Sequence, residues 1–180
     1  MSIRIDTERL IVRRMEDRDV GDCVECYSHP ELRRFSSRDA FTEEEARELV
    51  AFHQSLAAGT EREWLKLAVE LKAERKMIGD VCIKVLSSKD KQGEIGWFFN
   101  PQYHKQGFAT EAARALVMFG FTTLRLHRLT ARCYVENTQS FRLMERLGMR
   151  REALFREVVL LKGSWHDQFA YAILKDEWVA

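Results

Sequence analysis

The sequence has almost no net charge, because its 29 lysine and arginine residues are balanced by 28 aspartate and glutamate residues. Proteins that bind nucleic acid or a membrane surface through electrostatics usually carry a basic excess on one face. The balance gives no electrostatic reason to expect either kind of partner. We therefore expect neither nucleic acid nor a membrane surface to be bound.

Long apolar segments are also missing. The longest apolar run covers residues 115–121, whereas a membrane-spanning helix needs roughly 20 residues. The first residues lack the apolar core of a signal peptide. A chain of 180 residues with 46% hydrophobic and 32% charged residues fits one globular domain with a sizeable core. We expect a single domain over residues 1–180 and a cytoplasmic location.

Cysteine is scarce, and its spacing does not suggest a metal site. Cys23 and Cys26 form a C-x-x-C pair, but zinc would need two further ligands at similar spacing. Cys82 and Cys133 lie in strand-like runs, where a free cysteine behaves as a small apolar side chain. We expect four reduced thiols and no bound metal.

The usual nucleotide-binding motifs are absent, since neither G-x-x-x-x-G-K-[ST] nor G-x-G-x-x-G occurs. The sequence instead predicts a strand, a loop and a helix over residues 93–123. Residues 94–99 are apolar and aromatic and end at Asn100-Pro101, which favours a strand and a turn. From Gly107 onward, apolar residues recur at helical spacing. The loop between them is either an anion site at a helix N-terminus or an ordinary helix start.

The rest of the chain alternates strand-like and helix-like segments. Strands are expected at residues 7–15, 64–71, 76–86, 93–99, 128–135, 149–162 and 165–174. Helices are expected at residues 17–27 and 42–59, from residue 107 onward, and in a segment ending at Gly148. The segment around residues 33–40 reads as a polar loop, and His53 reads as a surface or packing histidine. The predicted fold is α/β (α+β), with a mixed, mostly antiparallel sheet of about seven strands and about four helices on its faces.

Several segments together resemble a known family. They are TERLIVR at residues 7–13, GEIGW at 93–97, HKQGFA at 104–109, NTQSFRLMERLG at 137–148 and DQFAYAIL at 167–174. This combination resembles the GNAT superfamily of acetyl-CoA-dependent N-acetyltransferases. Within it, the chain most resembles the group that includes the bacterial ribosomal-protein N-terminal acetyltransferases. The resemblance implies acetyl-CoA as cosubstrate and a primary amine as acceptor.

The resemblance also implies where acetyl-CoA binds. Backbone N–H groups of the loop would hold its pyrophosphate, and these residues are His104, Lys105, Gln106, Gly107, Phe108, Ala109 and Thr110. The loop departs from the family's Q/R-x-x-G-x-G/A, because His104 replaces Gln or Arg and Lys105 takes a position that is often Gly. Backbone N–H groups near Trp97, Phe98 and Phe99 would stabilise the carbonyl oxygen. Asn137 reads as a helix N-cap, and the family makes it a contact to CoA as well.

Two residues are expected to move protons. Ser140 matches the family's Asn-x-x-Ser and is assigned as proton donor to the departing thiolate; its alternative is a solvent-facing serine in a first helical turn. Glu94 is assigned as acceptor of the substrate's ammonium proton, directly or through water; its alternative is an exposed charge at a strand start. Tyr103, Tyr134 and His166 are held as further candidates.

The sequence leaves the acceptor open, since a protein N-terminus, a polyamine or an aminoglycoside would each fit. A different class of function is a non-catalytic acyl-CoA sensor or partner-binding module, which the altered loop favours and the retained Asn137, Ser140 and Glu94 oppose. A homodimer is a further alternative that rests only on Trp165 and Trp178, residues that more often belong to a core.

Overall fold

The computed structural model describes residues 3–35 and 41–179, and over these ranges the chain forms one eight-stranded sheet and five helices. The strands are β1 (Arg4–Asp6), β2 (Leu10–Arg13), β3 (Trp64–Leu71), β4 (Lys76–Ser87), β5 (Gln92–Phe99), β6 (Arg128–Tyr134), β7 (Arg150–Leu161) and β8 (Ser164–Leu174). The helices are α1 (Val20–Tyr27), α2 (Pro30–Arg33), α3 (Glu43–Ser55), α4 (Phe108–Thr122) and α5 (Thr138–Arg146). The order of strands in the sheet is β1-β2-β3-β4-β5-β6-β8-β7.

The helices cover both faces of the sheet. Alternate residues of β3 separate the two faces, because Leu67 and Val69 pack with α4 and α5 whereas Ala68 packs with α1 and α3. We call these the α4/α5 face and the α1/α3 face. Trp178 packs against the core on the α4/α5 side, while Trp165 is 59% exposed on β8. No helix in the described ranges is long and apolar enough to cross a membrane.

The predicted mixed sheet with helices on its faces is confirmed, and its details differ in three places. The first expected strand is β2, and a further strand, β1, precedes it and pairs with it as a hairpin, which brings the count to eight. Pro30 follows the end of α1 and also begins an additional short helix, α2. The helix expected at residues 42–59 ends at Ser55. Residues 36–40 of the expected polar loop lie outside the described residues.

The feature that positions the site is the short pairing of β5 with β6. These strands are parallel, but they pair over three residue pairs only, of which the last is Glu94 with Thr130. Beyond that point β5 stays paired with β4 through Phe99, while β6 stays paired with β8 through Tyr134. The two strands therefore diverge, and backbone groups on their facing edges lose their sheet partners.

A buried cation on β2 joins three segments of the chain. The guanidinium of Arg13 makes two hydrogen bonds with Asp19, at 2.7 and 2.8 Å, and one with Glu70, at 2.7 Å. All three residues are at most 5% exposed. Because the geometry is bidentate and the acceptors are charged, the hydrogen bonds offset the desolvation of the ions. Removing one partner would leave a buried charge uncompensated.

We predict that Asp19→Ala lowers the free energy of unfolding by about 3–5 kcal/mol, the cost of breaking a buried ion pair. Urea unfolding followed by circular dichroism measures it. The matched control is Asp6→Ala, which removes an exposed partner of Arg4 and should cost less than about 1 kcal/mol. Equal effects of the two substitutions would contradict the assigned role of the network.

His53 is a packing histidine, since it is 5% exposed on α3 and its Nδ1 accepts a hydrogen bond from the Lys66 amide. Burial, together with the positive charge of Lys66, lowers its pKa to about 4. The unfolded chain, with a histidine pKa near 6.5, binds this proton more readily. We predict that this contribution to stability is complete above pH 6.5 and is lost as the pH falls towards 4, by up to about 2 kcal/mol at pH 5. Urea unfolding at pH 7.5 and pH 5 tests this. The difference in the free energy of unfolding between the two pH values should be smaller for His53→Asn than for the unchanged protein.

Candidate active site

A cleft of about 1260 Å³ opens where β5 and β6 diverge. Its walls are the C-terminal half of β5, the loop before α4, the first turns of α4 and α5, the end of β6, and α2. Because β5 and β6 are parallel, the segments that follow them emerge at the same edge of the sheet. Two helix N-termini therefore meet at one cleft.

The backbone of β5 presents hydrogen-bonding groups to this cleft. The amide of Asn100 donates to Ile78 of β4, and the carbonyl of Phe98 lies against Gly79 of β4. In an extended strand the N–H groups alternate in direction, so those of Trp97 and Phe99 point towards the gap. Phe98 lines the cleft with its ring. An added Cβ at Gly79 would lie 2.3 Å from that carbonyl, so the close approach of β4 to β5 requires glycine at this position.

The loop before α4 exposes unpaired amides. Gly107 is the N-cap with φ of +87°, and Lys105 is also left-handed, with φ of +61°. The amide of Glu111 bonds to the carbonyl of Gly107 as the first hydrogen bond of the helix, so the three preceding helical N–H groups have no helical acceptor. Lys105 keeps the backbone conformation that a glycine would adopt freely, at a cost of about 1–2 kcal/mol. The loop can therefore accept an anion such as a pyrophosphate.

Most of the predicted site residues meet at the cleft. Those that line it are Phe98, Phe99, His104, Lys105, Gly107, Ala109, Thr110, Asn137 and Ser140. Gln106 and Phe108 do not line it: the Gln106 side chain bonds to the carbonyl of Gln102, and Phe108 is buried in the core. His104 donates from Nε2 to the carbonyl of Phe99 at 2.9 Å, which fixes the loop to the end of β5.

Arg9 is a functional residue that sequence reasoning missed. Its guanidinium lies over the ring of Phe108 at 4.5 Å and donates to the carbonyl of Gln106 at 2.9 Å. Glu111, in the first turn of α4, accepts from the Arg9 Nε and amide, both at 2.8 Å. Arg9 thus holds the loop and the start of α4 together. The motif that contains Arg9 was visible, but no sequence signal links it to a loop 97 residues away.

The start of α5 carries Asn137 and Ser140. The Asn137 side-chain oxygen accepts from the Ser140 amide at 3.1 Å, which confirms the N-cap and leaves the Asn137 amide group for another partner. Ser140 is half-buried. Its hydroxyl has no hydrogen-bond partner among residues 3–35 and 41–179. It is therefore free to donate to a ligand in the cleft.

Tyr134 is placed better than the sequence suggested. It lines the cleft between Phe35, with stacked rings 5.6 Å apart, and His166, with rings edge-on at 5.5 Å. Burial and the neighbouring Glu136 raise its pKa, so its hydroxyl keeps its proton. In contrast, Tyr103 donates to Glu74 at 2.6 Å, and burial together with that carboxylate raises its pKa to about 12. Tyr103 anchors the loop.

Glu94 lies apart from Ser140. It is not among the lining residues, and its carboxylate pairs with Lys84 at 3.2 Å. Lys84 in turn lies over the ring of Trp64 at 4.4 Å. By the alternation of β5, Glu94 lies on the α1/α3 face with the Phe98 ring, which contacts Tyr27 of α1. Glu94 occupies the last paired position before the strands diverge.

The helical side of the cleft carries the cations that an anionic ligand needs. Four of them line it from the loop, α4 and α5: Lys105, Arg114, Arg142 and Arg146. Clustered guanidinium and ammonium groups beside unpaired amides suit a ligand with several phosphate groups. In the described part of the chain, no group of three His, Cys, Asp or Glu side chains is arranged to hold a metal ion.

Comparison with known proteins identifies the family. Residues 9–150 match the profile described as acetyltransferase (GNAT) domain. The chain is 36% identical over 176 residues to the uncharacterized N-acetyltransferase YnaD of Bacillus subtilis (strain 168), covering 98% of this chain and 99% of that protein. It superposes on the crystal structure of an acetyltransferase (GNAT family) from Bacillus anthracis with a TM-score of 0.85 and 34% identity, covering 97% and 99% of the two chains.

A ribosomal-protein enzyme is a more distant relative. The ribosomal protein uS5-alanine N-acetyltransferase of Escherichia coli (strain K12) is 23% identical over 192 residues, covering 98% of this chain and 93% of that protein. The fold and the relatives define an acetyltransferase enzyme. The chain belongs to the GNAT family of N-acetyltransferases, whose members use acetyl-CoA. The expected likeness to ribosomal-protein acetyltransferases is confirmed.

We predict that Arg9→Ala raises the dissociation constant for CoA and the KM for acetyl-CoA roughly tenfold, since one charge-assisted hydrogen bond to the loop is lost. The value of kcat should change little, because Arg9 does not line the cleft. Calorimetric titration with CoA measures the effect directly. Arg4→Ala is the control, since Arg4 pairs with Asp6 at the surface, away from the loop. Unchanged CoA affinity in a folded Arg9→Ala protein would contradict the role of Arg9.

Proposed function

We propose that this protein transfers the acetyl group of acetyl-CoA to a primary amine by direct attack of the amine in a ternary complex. The observation that carries the proposal is the convergence at one cleft of unpaired loop amides, a Trp97 N–H directed into the strand gap, and the free Ser140 hydroxyl. Acyl transfer from a thioester needs these three things: a bound donor, a stabilised carbonyl oxygen and an acid for the leaving thiolate.

In this proposal the loop and the two helices hold the cosubstrate. The amides of residues 105–110 bind the pyrophosphate, and the Lys105 ammonium adds a point charge in place of backbone freedom. The gap between β5 and β6 takes the pantetheine arm, whose amides find the free edge groups of both strands. The N–H of Trp97 then donates to the thioester carbonyl oxygen.

Ser140 is the proposed acid, because its hydroxyl lines the cleft without another partner. Tyr134 is a second candidate on the same observation, since it also lines the cleft with a protonated hydroxyl. Glu94 accepts the ammonium proton through water rather than directly, because it does not line the cleft.

The acceptor class is supported by a relative. The relative named for acetylating an alanine of a ribosomal protein aligns with nearly the whole chain. This favours a protein or peptide N-terminus as the first acceptor to test. Small-molecule amines, including polyamines and aminoglycosides, are the other members of the panel.

We predict that the protein releases free thiol from acetyl-CoA with at least one amine, and that Ser140→Ala lowers kcat about 100-fold or more, the usual contribution of general acid catalysis. Stopped assays with a thiol reagent across peptides, polyamines and aminoglycosides measure this. The CoA dissociation constant should change little in the same variant. Tyr134→Phe is assayed in parallel, and Ser164→Ala, at the exposed start of β8, is the control.

Two outcomes would overturn parts of this proposal. Undiminished kcat in Ser140→Ala, together with a large loss in Tyr134→Phe, would transfer the role of acid to Tyr134. Binding of acetyl-CoA without thiol release for any amine would favour a sensor over an enzyme acting on this panel.

A further inference from the structure

Two arginines at the cleft have no acidic partner among the described residues. Arg34 follows α2, and Arg132 lies in β6; both line the cleft. Their contacts are with aromatic rings, Arg34 over Phe35 at 5.4 Å and Arg132 over Phe155 at 5.2 Å. The rings limit the motion of the guanidinium groups without neutralising them. Both charges are therefore available to a ligand.

Arg132 lies on the side of the sheet opposite α4 and α5. Its neighbours Ala131 and Cys133 are buried in the core on the α4/α5 face, so the alternation of β6 directs Arg132 to the α1/α3 face. Tyr134 shares this face and stacks on Phe35, which follows α2. The four cations on the loop and helices serve the other side of the cleft. Arg132 is thus not part of the proposed phosphate site.

The position of Arg132 along the gap is close to the proposed reaction centre. The last strand pair is Glu94 with Thr130, and continuing this register by two residues sets Arg132 across the gap from Gly96. Gly96 has no side chain, and an added Cβ would lie 3.0 Å from Cys82 Sγ and 4.0 Å from the Trp64 ring. Gly96 and Trp97 line the cleft together with Arg132. An acceptor amine approaching from this face passes Arg132.

The charged side chains at this entrance suit an acceptor that carries both a positive and a negative group. Glu31 and Glu136 also line the cleft there, and Glu136 lies 3.6 Å from His166. A carboxylate of this kind suits an ammonium group, and a planar guanidinium suits a carboxylate in bidentate geometry. A polyamine would offer no partner for Arg34 and Arg132 and would be repelled by them.

We propose that Arg132 binds a carboxylate of the acceptor, so that the preferred substrate is a primary amine that also carries a carboxylate group. The inference rests on the proposed function, because only an enzyme has an acceptor substrate. The carboxylate site itself can be tested by binding alone. The carboxylate belongs either to a free amino acid or to an acidic side chain near the N-terminus of a peptide. Both sources present the same chemistry to the guanidinium.

The test is calorimetric binding to the protein saturated with CoA, which allows no turnover. Two matched pairs of probes separate the sources: β-alanine with β-alaninamide, and the peptide amides Ala-Glu-Ala with Ala-Gln-Ala. We expect the acidic member of at least one pair to bind roughly tenfold tighter, the effect of one charge-assisted hydrogen bond. Arg132→Gln should reduce that ratio towards one, and Arg132→Lys should retain part of it. Arg156→Gln, at an exposed position outside the cleft, should leave the ratio unchanged.

Three results would overturn the inference. The first is that the protein shows no preference for either acidic probe, and the second is that the preference persists in Arg132→Gln. The third is that Arg132→Gln weakens CoA binding and leaves the ratio of affinities for the acidic and neutral probes unchanged. Circular dichroism of each variant shows whether it is folded. If Arg132→Gln does not fold, the ratio of probe affinities is measured with Arg132→Lys. Thiol release from acetyl-CoA, assayed with the same probes, separates the two proposals. Turnover without acid preference refutes the carboxylate site alone, whereas acid preference without turnover refutes only the enzymatic proposal.

Discussion

The site of this protein depends on two parallel strands that part after three residue pairs. Each strand is held by its other neighbour, β5 by β4 through Phe99 and β6 by β8 through Tyr134. A sheet twists, and strands anchored to different partners diverge along it. The gap is therefore maintained by the antiparallel pairings on either side. Those pairings also fix which amides of β5 face the gap, so the direction of the Trp97 N–H follows from the β4–β5 register.

The same divergence gathers the charged and polar groups. Because both strands are parallel, α4 and α5 begin at the same end of the gap, and their N-terminal dipoles add to the charge of the cations that line it. The loop before α4 is then held from two directions, by His104 bound to Phe99 of β5 and by Arg9 bound to Gln106. These contacts fix the backbone of the loop. They explain how Lys105 keeps a left-handed conformation that a side chain disfavours.

Local patterns predicted most of this arrangement. The strand, loop and helix over residues 93–123, the N-cap at Asn137 and the mixed sheet followed from periodicity and turn chemistry, and the resemblance directed attention to the loop. Contacts between distant segments could not be predicted in this way. Arg9 meets Gln106, and Arg13 meets Glu70, only because β2 lies beside β3 and near α4 in the folded sheet. The separation of Glu94 from the cleft could not be predicted either, since it reflects an ion pair with Lys84 on the neighbouring strand β4.

The geometry at Asn137 limits what the start of α5 can do. Its side-chain oxygen accepts the capping hydrogen bond from Ser140, and its amide N–H groups can donate to a ligand but not accept. The Ser140 hydroxyl is the group there that can also accept. A site whose free side-chain and backbone groups are mainly donors, beside four cations, favours an electron-rich ligand and a developing negative charge. In the proposed mechanism, the proton of the attacking amine therefore leaves towards the other face of the sheet, where Glu94 lies.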